Sequence, residues 1–319
     1  MNEAISTAAL APRVWDSQFY RDVLTGFSAE QKHLSPKYFY DEQGSAFFDE
    51  ICHLDEYYPY RTELTLLPTV AEDLANDFKG PVSIVEFGAG SLVKVRPLLD
   101  ALSQVEEFVP IDISGEHLRA SCRRLQREYP KVLVRPVTAD FCKRVTLPAP
   151  VGRRLGFFPG STIGNFSPVQ AVQFLSSARQ SLGAGSAMLV GVDTKKSAGI
   201  LHRAYNDSRG VTARFNLNLL HRINRELDAG IPASEFEHYA FYNAREGRVE
   251  MHLIAASDCA CRLDDARIEF HAGESIHTEN SYKYTPQEFS ELAARAGWKV
   301  SKRWLAKDAL FGMYMLEHA

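Results

Sequence analysis

The 319-residue chain lacks any apolar run long enough to cross a bilayer, and its start, MNEAISTAALAPRVWDSQFY, has no basic segment leading into an apolar one. A cytoplasmic location and no membrane partner are therefore expected. Five cysteines, Cys52, Cys122, Cys142, Cys259 and Cys261, are odd in number and scattered, which excludes a disulfide framework. Cys259 and Cys261 form a CxC pair, but no second Cys/His pair stands near at zinc-site spacing, so alternation along a strand accounts for them and no metal is expected. Charge of one sign is also lacking: 36 Lys and Arg face 40 Asp and Glu, a formal net charge of -4. Without a basic field, nucleic acid is not expected as a partner. No internal repeat, low-complexity tract or Gly/Pro-rich linker divides the chain, so a second domain would be inserted rather than appended.

What is present is a strand and helix rhythm with 45% hydrophobic residues, enough for a large core. Residues 14 to 34 and the stretch from PKYFYDEQGSAFFDEI to LLPTVAEDL read as helices around an aromatic turn at Tyr57, Tyr58, Pro59 and Tyr60. From residue 82, strand VSIVEF, helix LVKVRPLLDALS, strand EFVPIDI, helix GEHLRASCRRLQREY, strands VLVRPVTADF and RRLGFFPGST, helix PVQAVQFLSSARQSL and strand SAMLVGVD alternate. That order predicts an α/β fold with a mostly parallel, doubly wound sheet. After Asp193 comes a helical stretch over 200–229, then EFEHYAFYN and GRVEMHLIAAS as a hairpin, then RIEFHA and SIHTENSYKY as strands. Helix TPQEFSELAARAGW and strands KVSKRWLAK and LFGMYMLEH return to the sheet, leaving an insertion of roughly ninety residues, the size of a small subdomain.

In such a sheet a ligand lies beyond the carboxyl ends of the strands, where Gly88 and Gly90 of VEFGAG fall. Glycine permits positive φ and a close ligand approach. A dinucleotide fingerprint would need a third glycine near Val93, so a pyrophosphate is disfavoured. The form ExGxG is instead the pattern of S-adenosylmethionine (SAM) methyltransferases. Asp112, at the end of the next strand, can accept from both ribose hydroxyls. Asp140 and Phe141 of TADF, at a further strand end, can bond the adenine amino group and cover the ring.

The segments PKYFYDEQGSAFFDEI, EYYPYRTE, VEFGAGSLVK, PIDIS, GSTIGNF, AYNDSRGVTARFN, FEHYAFY, RVEMHL and IHTENSYKY resemble the histidine Nα-methyltransferases that make hercynine in ergothioneine biosynthesis. The resemblance runs from about residue 14 to the end of the sequence. It implies a Rossmann-like SAM-binding domain over 63–195 completed by 285–319, and an α+β substrate domain made of 1–62 and the insertion 196–284. It implies SAM contacts from Gly88, Lys94, Asp112, Asp140, Phe141, Gly160 and Ser161, with SAM as methyl donor and no metal. Substrate contacts would come from Tyr40, Tyr57, Asn165, Tyr205, Met251, Glu279 and Ser281.

Taken singly, Tyr40 and Tyr57 would read as packing, Tyr205 as core and Asn165 as a helix cap. Within the resemblance, Asn165 and Tyr205 hold the amino-acid backbone for catalysis, while Glu279, Ser281 and Tyr57 hold the ring. Glu279, Ser281 and Lys283 alternate onto one face of a strand. The pairing of Met251 with Glu279 follows the histidine-type pattern. L-histidine and its mono- and dimethyl forms are thus the expected small-molecule partners of a monomer. The alternatives are Nα-methylation of another aromatic amino acid such as tryptophan, ring methylation as in ovothiol-type pathways, a nicotinamide-dependent oxidoreductase, and a non-catalytic SAM-binding protein.

Overall fold

The computed structural model describes residues 17–319. In chain order its elements are α1 Gln18–Phe27, α2 Glu42–Cys52, α3 Tyr58–Asp77, β1 Val82–Phe87, α4 Arg96–Ala101, β2 Val105–Asp112 and α5 Gly115–Glu128. There follow β3 Leu133–Val134, β4 Val137–Thr138, β5 Arg153–Phe158, α6 Pro168–Leu182, β6 Ala187–Asp193, α7 Ala198–Tyr205 and α8 Val211–Leu227. The last are β7 Phe236–Asn243, β8 Arg248–Ala255, β9 Cys259–Leu263, β10 Ala266–Phe270, β11 Ser275–Tyr282, α9 Pro286–Arg295, β12 Trp298–Leu305 and β13 Phe311–His318. Unit 1 takes the described residues through Glu56 with His202–Phe241 and Glu250–Glu279. Unit 2 takes Tyr57–Leu201, Tyr242–Val249 and Asn280–Ala319.

Unit 2 is built on one sheet in the order β12-β13-β6-β5-β1-β2-β3, with β4 also pairing β2. Strands β1, β2, β3, β4, β5 and β6 pair in parallel, and β13 joins β6 antiparallel with β12 beyond it. All six residues of β1 are buried, as a strand covered on both faces requires. One face packs Leu67, Val70 and Leu74 of α3 with Leu118 and Leu125 of α5. The other packs Phe174 and Leu175 of α6 with Phe289 and Leu292 of α9. Both α6 and α9 begin with a capping box, Ser167 with Gln170 and Thr285 with Glu288, so SPVQ and TPQE each start a helix by local chemistry. The mostly parallel α/β fold is the one the alternation predicts.

Two expected elements are shorter than the sequence suggests. VLVRPVTADF forms two separate two-residue strands on β2 instead of one, because Pro136 between them has no N–H to donate. LVKVRPLLDALS is helical only over Arg96–Ala101; Leu92 takes φ 58°, and the helix begins at Pro97's turn. The residues ahead of it remain as loop at the carboxyl edge of β1.

The helical stretch expected over 200–229 consists of the end of α7 and the whole of α8. The Asp207 carboxylate accepts the N–H groups of Val211 and Thr212, both at 2.8 Å, and so caps α8 anew after α7 has ended. Phe39 stacks on Phe215 of α8 at 4.4 Å between centroids, and Phe270 of β10 meets Phe27 and Phe236 edge-on. Asp41 caps α2 through Gly44 N–H at 2.7 Å and also accepts from Asn218 and Arg225 of α8, tying the two helices together. Strands β9 and β10 form a hairpin, and β11, β8 and β7 lie in that order in a three-stranded sheet.

Candidate active site at the carboxyl edge of the unit 2 sheet

Strand β1 ends in Phe87, and the chain turns through Gly88 at φ 71° and Gly90 at φ 50°, both in the left-handed region that glycine adopts without strain. The N–H groups of Gly88 and Ala89 donate to Ile111 O at 2.9 and 3.1 Å, which fixes the loop against the end of β2. There the Asp112 carboxylate accepts Gly90 N–H at 3.2 Å on one oxygen and Ser114 N–H at 2.8 Å on the other. Each carboxylate oxygen has about two lone-pair sites, so each retains capacity for a hydroxyl. Asp140 Oδ1 takes the N–H of Cys142 at 3.0 Å. The Phe141 ring lies over Gly88, where an added Cβ would come within 3.2 Å of it, and it packs edge-on against Phe158 and Phe174.

At the end of β5, Gly160 adopts φ 79° and donates its N–H to both carboxylate oxygens of Glu63, at 2.9 and 3.0 Å. Glu63 comes from α3, is completely buried, and forms an ion pair of 2.7 Å with Lys94. Lys94 in turn stands 5.1 Å above the Tyr60 ring. Glu86, next to the end of β1, is buried with Oε2 lacking a hydrogen-bond partner among the described residues. Burial pushes its carboxyl well above the usual range; Lys94 opposes that, while Glu63 and Asp112 add to it.

Ser161 follows with φ 55°, unusual for a residue with a side chain and costing about 1–3 kcal/mol. Its Oγ accepts the N–H of Asp193 at 2.8 Å. The turn Thr162–Asn165 then passes β11: a Cβ on Gly164 would lie 2.7 Å from Tyr282 O and 3.6 Å from the carbonyl carbon of Ser281.

Asp193, fully buried at the end of β6, gathers charge from three other places in unit 2. Tyr58 of α3 donates its hydroxyl to both carboxylate oxygens at 2.9 and 2.7 Å. Lys196 lies 2.5 Å from Oδ1, and Lys283, just past β11, lies 2.8 Å from Oδ2. Lys283 also donates to Ser281 Oγ at 2.7 Å. Burial alone would raise the Asp193 carboxyl, but the two ammonium groups outweigh it and hold it below its ordinary value. Burial lowers Lys196 to about 8 even though Asp193 pulls the other way, and the neighbouring charge of Lys283 lowers it further.

The seven expected cofactor residues, Gly88, Lys94, Asp112, Asp140, Phe141, Gly160 and Ser161, all lie in unit 2 at the carboxyl ends of β1, β2, β4 and β5 or in the loops just beyond them. Of the expected substrate contacts, Tyr57, Asn165 and Ser281 belong to unit 2, and Tyr40, Tyr205, Met251 and Glu279 to unit 1. Tyr40 meets Phe48 and Phe215 edge-on. Tyr205 closes α7, and its carbonyl is 2.9 Å from His238 Nε2. Met251 is buried, its carbonyl accepts the Thr278 hydroxyl at 3.0 Å, and alternation along β8 turns its side chain away from the face of Glu250 and His252. Glu279 shares a strand face with His277, whose Nε2 lies 3.1 Å from the Glu279 carbonyl.

Glu250, His252 and His277 bring possible ligand atoms within 4.8 Å of one another. The two imidazoles, however, stack at 4.7 Å with an interplanar angle of 11°, so their in-plane lone pairs run side by side rather than converging. His252 Nε2 instead pairs with Glu250 Oε2 at 3.1 Å.

Glu63, Asp193, Lys196 and Tyr58 were not singled out by sequence. A signal for Glu63 exists: it shares the buried stripe of α3 with Leu67, Val70 and Leu74, at spacings of four, three and four.

A mostly parallel sheet with a GxG loop after β1, Val93 where a dinucleotide loop would have a third glycine, an aspartate at the end of β2 and Asp140 with Phe141 beyond β4 is the architecture of a SAM-dependent methyltransferase. Within that class the chain belongs to the SAM-dependent, histidine-specific methyltransferase family, whose profile matches residues 19–318. It is 40% identical over 298 residues to the histidine N-alpha-methyltransferase of Mycolicibacterium smegmatis, covering 92% of each chain. The protein of the same name from Mycobacterium tuberculosis matches equally, at 40% over 298 residues and 92% of each chain. The ergothioneine biosynthesis protein 1 of Schizosaccharomyces pombe is 25% identical over 303 residues, 91% of this chain and 39% of that longer protein.

Proposed function

We propose that this methyltransferase transfers three methyl groups in turn from SAM to the α-amine of L-histidine, giving hercynine for ergothioneine synthesis. The observation that carries the proposal is the 40% identity, over 92% of each chain, to relatives named for this reaction. In this reading SAM supplies a methyl carbon activated by its sulfonium. Asp112 accepts from the ribose hydroxyls, Asp140 and Phe141 bind and cover the adenine, and Gly88 gives the ligand access to the backbone.

Lys94, Gly160 and Ser161 complete the cofactor contacts at the methionine end, with Glu63 orienting Lys94 and Gly160. Asn165 and Tyr205 hold the amino-acid backbone, with Tyr40 and Met251 as further substrate contacts. Tyr57, Glu279 and Ser281 hold the ring. The amine lone pair attacks the methyl carbon, the carbon–sulfur bond breaks, and its electrons remain on the sulfur of neutral S-adenosylhomocysteine. Each of the first two products must lose a proton to water before the next attack, and the third is a quaternary ammonium with none to lose. Positioning at near-attack separation, roughly 3 to 3.5 Å, supplies the main rate gain.

The SAM domain is assigned to 63–195 with 285–319, and the substrate domain to 1–62 with 196–284, of which 1–16 lie outside the described residues. The enzyme works as a cytoplasmic monomer in this reading; among the described residues no helix is long and apolar enough to cross a membrane. Mass spectrometry after incubation with SAM and a mixture of all twenty amino acids tests the proposal. Trimethylated histidine is the expected dominant product, and methylated tryptophan alone would overturn the assignment.

A further inference from the structure

Acidic residues are missing from one long segment: between Asp140 and Asp193 the sequence has no Asp or Glu, though the whole chain carries 40, and it has five Lys and Arg. That segment forms β5, α6 and β6. Three of its cations, Arg144, Arg154 and Arg179, come together where α6 ends, at the amino edge of the unit 2 sheet. Arg144 and Arg179 line a cleft of about 460 Å³ there, together with Gln180 and His318. The length of β6 places it roughly 20 Å from Asp193 and the carboxyl edge.

The carboxyl end of a helix by itself repels an anion. Here the carbonyls are covered: Arg154 donates to Ser181 O at 3.2 Å and to Leu182 O at 3.0 Å, and Ser186 Oγ donates to Gly183 O at 2.6 Å. Having spent its one proton, Ser186 Oγ accepts from His318 Nε2 at 3.1 Å, which anchors the imidazole. Val145 N–H donates to Ser181 Oγ at 3.3 Å and so brings Arg144 beside the helix. The Arg179 guanidinium rests against Gly297, where a Cβ would lie 3.0 Å from Nε and 3.1 Å from Cζ. Its Nε is buried without a hydrogen-bond partner among the described residues, a costly placement unless the other four N–H groups are used.

Among the described residues no carboxylate, that of Ala319 included, forms an ion pair with Arg144, Arg154, Arg179 or His318. Glu317 pairs with Arg153, and alternation along β13 puts it on the sheet face of Met313 and Met315, whereas His318 shares the α6 face with Tyr314 and Leu316. Glu107 of β2, whose charge reaches Arg154, is buried and already held by Arg135 and Ser83. The cleft therefore keeps a net positive charge.

We propose that this cleft is a second ligand site, for a small di- or polyanion of the phosphate class. Two guanidinium forks offer the paired N–H donors that a tetrahedral oxyanion accepts, and Gln180 and His318 add polar contacts around them. Its volume is that of a small-molecule site. It lies wholly in unit 2 and holds whichever amine the enzyme methylates.

Calorimetric titration of the S-adenosylhomocysteine-loaded enzyme with pyrophosphate, at an ionic strength kept constant with sodium chloride, tests the assignment. Saturable binding to a single site at about 1 mM or tighter is expected, with inorganic phosphate competing more weakly for it. Arg179→Gln and Arg144→Gln should each weaken pyrophosphate by about tenfold or more, the loss of a hydrogen-bonded charge. Arg123→Gln, on the exposed face of α5, should leave it unchanged, and all three variants should keep the basal methyltransferase activity measured without added anion.

Binding that does not saturate, an equal loss in Arg123→Gln, or displacement of S-adenosylhomocysteine by pyrophosphate overturns the inference. So does citrate binding more tightly than pyrophosphate, which would make the site one for carboxylates. Should Arg179→Gln not fold, Arg144→Gln decides, because Arg144 is exposed and its replacement leaves the packing intact; undiminished affinity in that variant overturns the site.

Discussion

The carboxylate of Glu63 rests against the Cα of Gly191: a Cβ at that position would lie 2.4 Å from Glu63 Oε1 and 3.3 Å from Gly160 N. A strand residue on β6 thereby leaves room for the acid that holds Gly160 and Lys94. Gly191→Ala must push Glu63 off both partners. Calorimetric titration should show S-adenosylhomocysteine binding weakened by about tenfold or more, with about 1–3 kcal/mol of stability lost from the unpaired buried groups. Unchanged binding in a folded Gly191→Ala variant would remove Glu63 from the cofactor site.

Gly88 and Gly90 separate backbone strain from crowding. A side chain on Gly88 is strained at φ 71° and also meets Phe141, whereas one on Gly90 at φ 50° meets nothing within 4 Å among the described residues. Each alanine costs about 1–2 kcal/mol for the left-handed conformation. Gly88→Ala should additionally displace Phe141 and weaken cofactor binding. Gly90→Ala should pack without disturbance, so any loss of binding beyond its change in melting temperature reports a ligand beside that loop.

Removing the charge of Asp193 leaves Lys196 and Lys283 facing each other without a carboxylate. Asp193→Asn should destabilise the protein by about 3–5 kcal/mol, the cost of leaving buried charge uncompensated. Urea unfolding measures it, and a loss below about 1 kcal/mol would mean that water reaches the cluster.

His238 makes stability depend on pH. Asn216 Nδ2 faces its Nδ1 at 2.9 Å and the Tyr205 carbonyl faces its Nε2 at 2.9 Å, the arrangement of a neutral ring protonated on Nε2. Burial lowers its pKa below the ordinary 6.5, and the bond to Tyr205 only partly offsets this. As pH falls below 6.5, the unfolded chain takes up the proton first. The contribution to stability is full above that value and is lost as pH falls through the lower folded one. His238→Gln, which can keep both bonds, should flatten the dependence of the melting temperature between pH 7 and pH 5, values around the ordinary imidazole pKa of about 6.5.

The parallel sheet was legible because it is written locally: VSIVEF is apolar throughout, and Ser167 with Gln170 or Thr285 with Glu288 announce their helices within four residues. GxG loops and strand-end aspartates carry similarly local marks, so Gly88, Asp112 and Asp140 could be singled out. The placing of β5 beside β1, across two intervening helices, has no such mark. Nor has the Asp193 cluster, since Tyr58 and Lys283 lie 135 residues before and 90 after the carboxylate they share. Lys283 shows only as the next alternating position after Glu279 and Ser281, where a solvated face is the ordinary reading. Its burial follows from long-range pairing, which periodicity does not encode.

Among the five cysteines, Cys52, Cys122 and Cys261 are buried and Cys259 is partly so, while Cys142 is exposed, directly after Phe141 and bonded through its backbone to Asp140. Burial raises Cys122 and Cys261 to about 11, which further slows their reaction with electrophiles. The sequence therefore already contains a selective attachment point for a maleimide dye, beside the residues assigned to adenine. An environment-sensitive fluorophore placed there would follow cofactor arrival and product release in real time, without engineering a single residue.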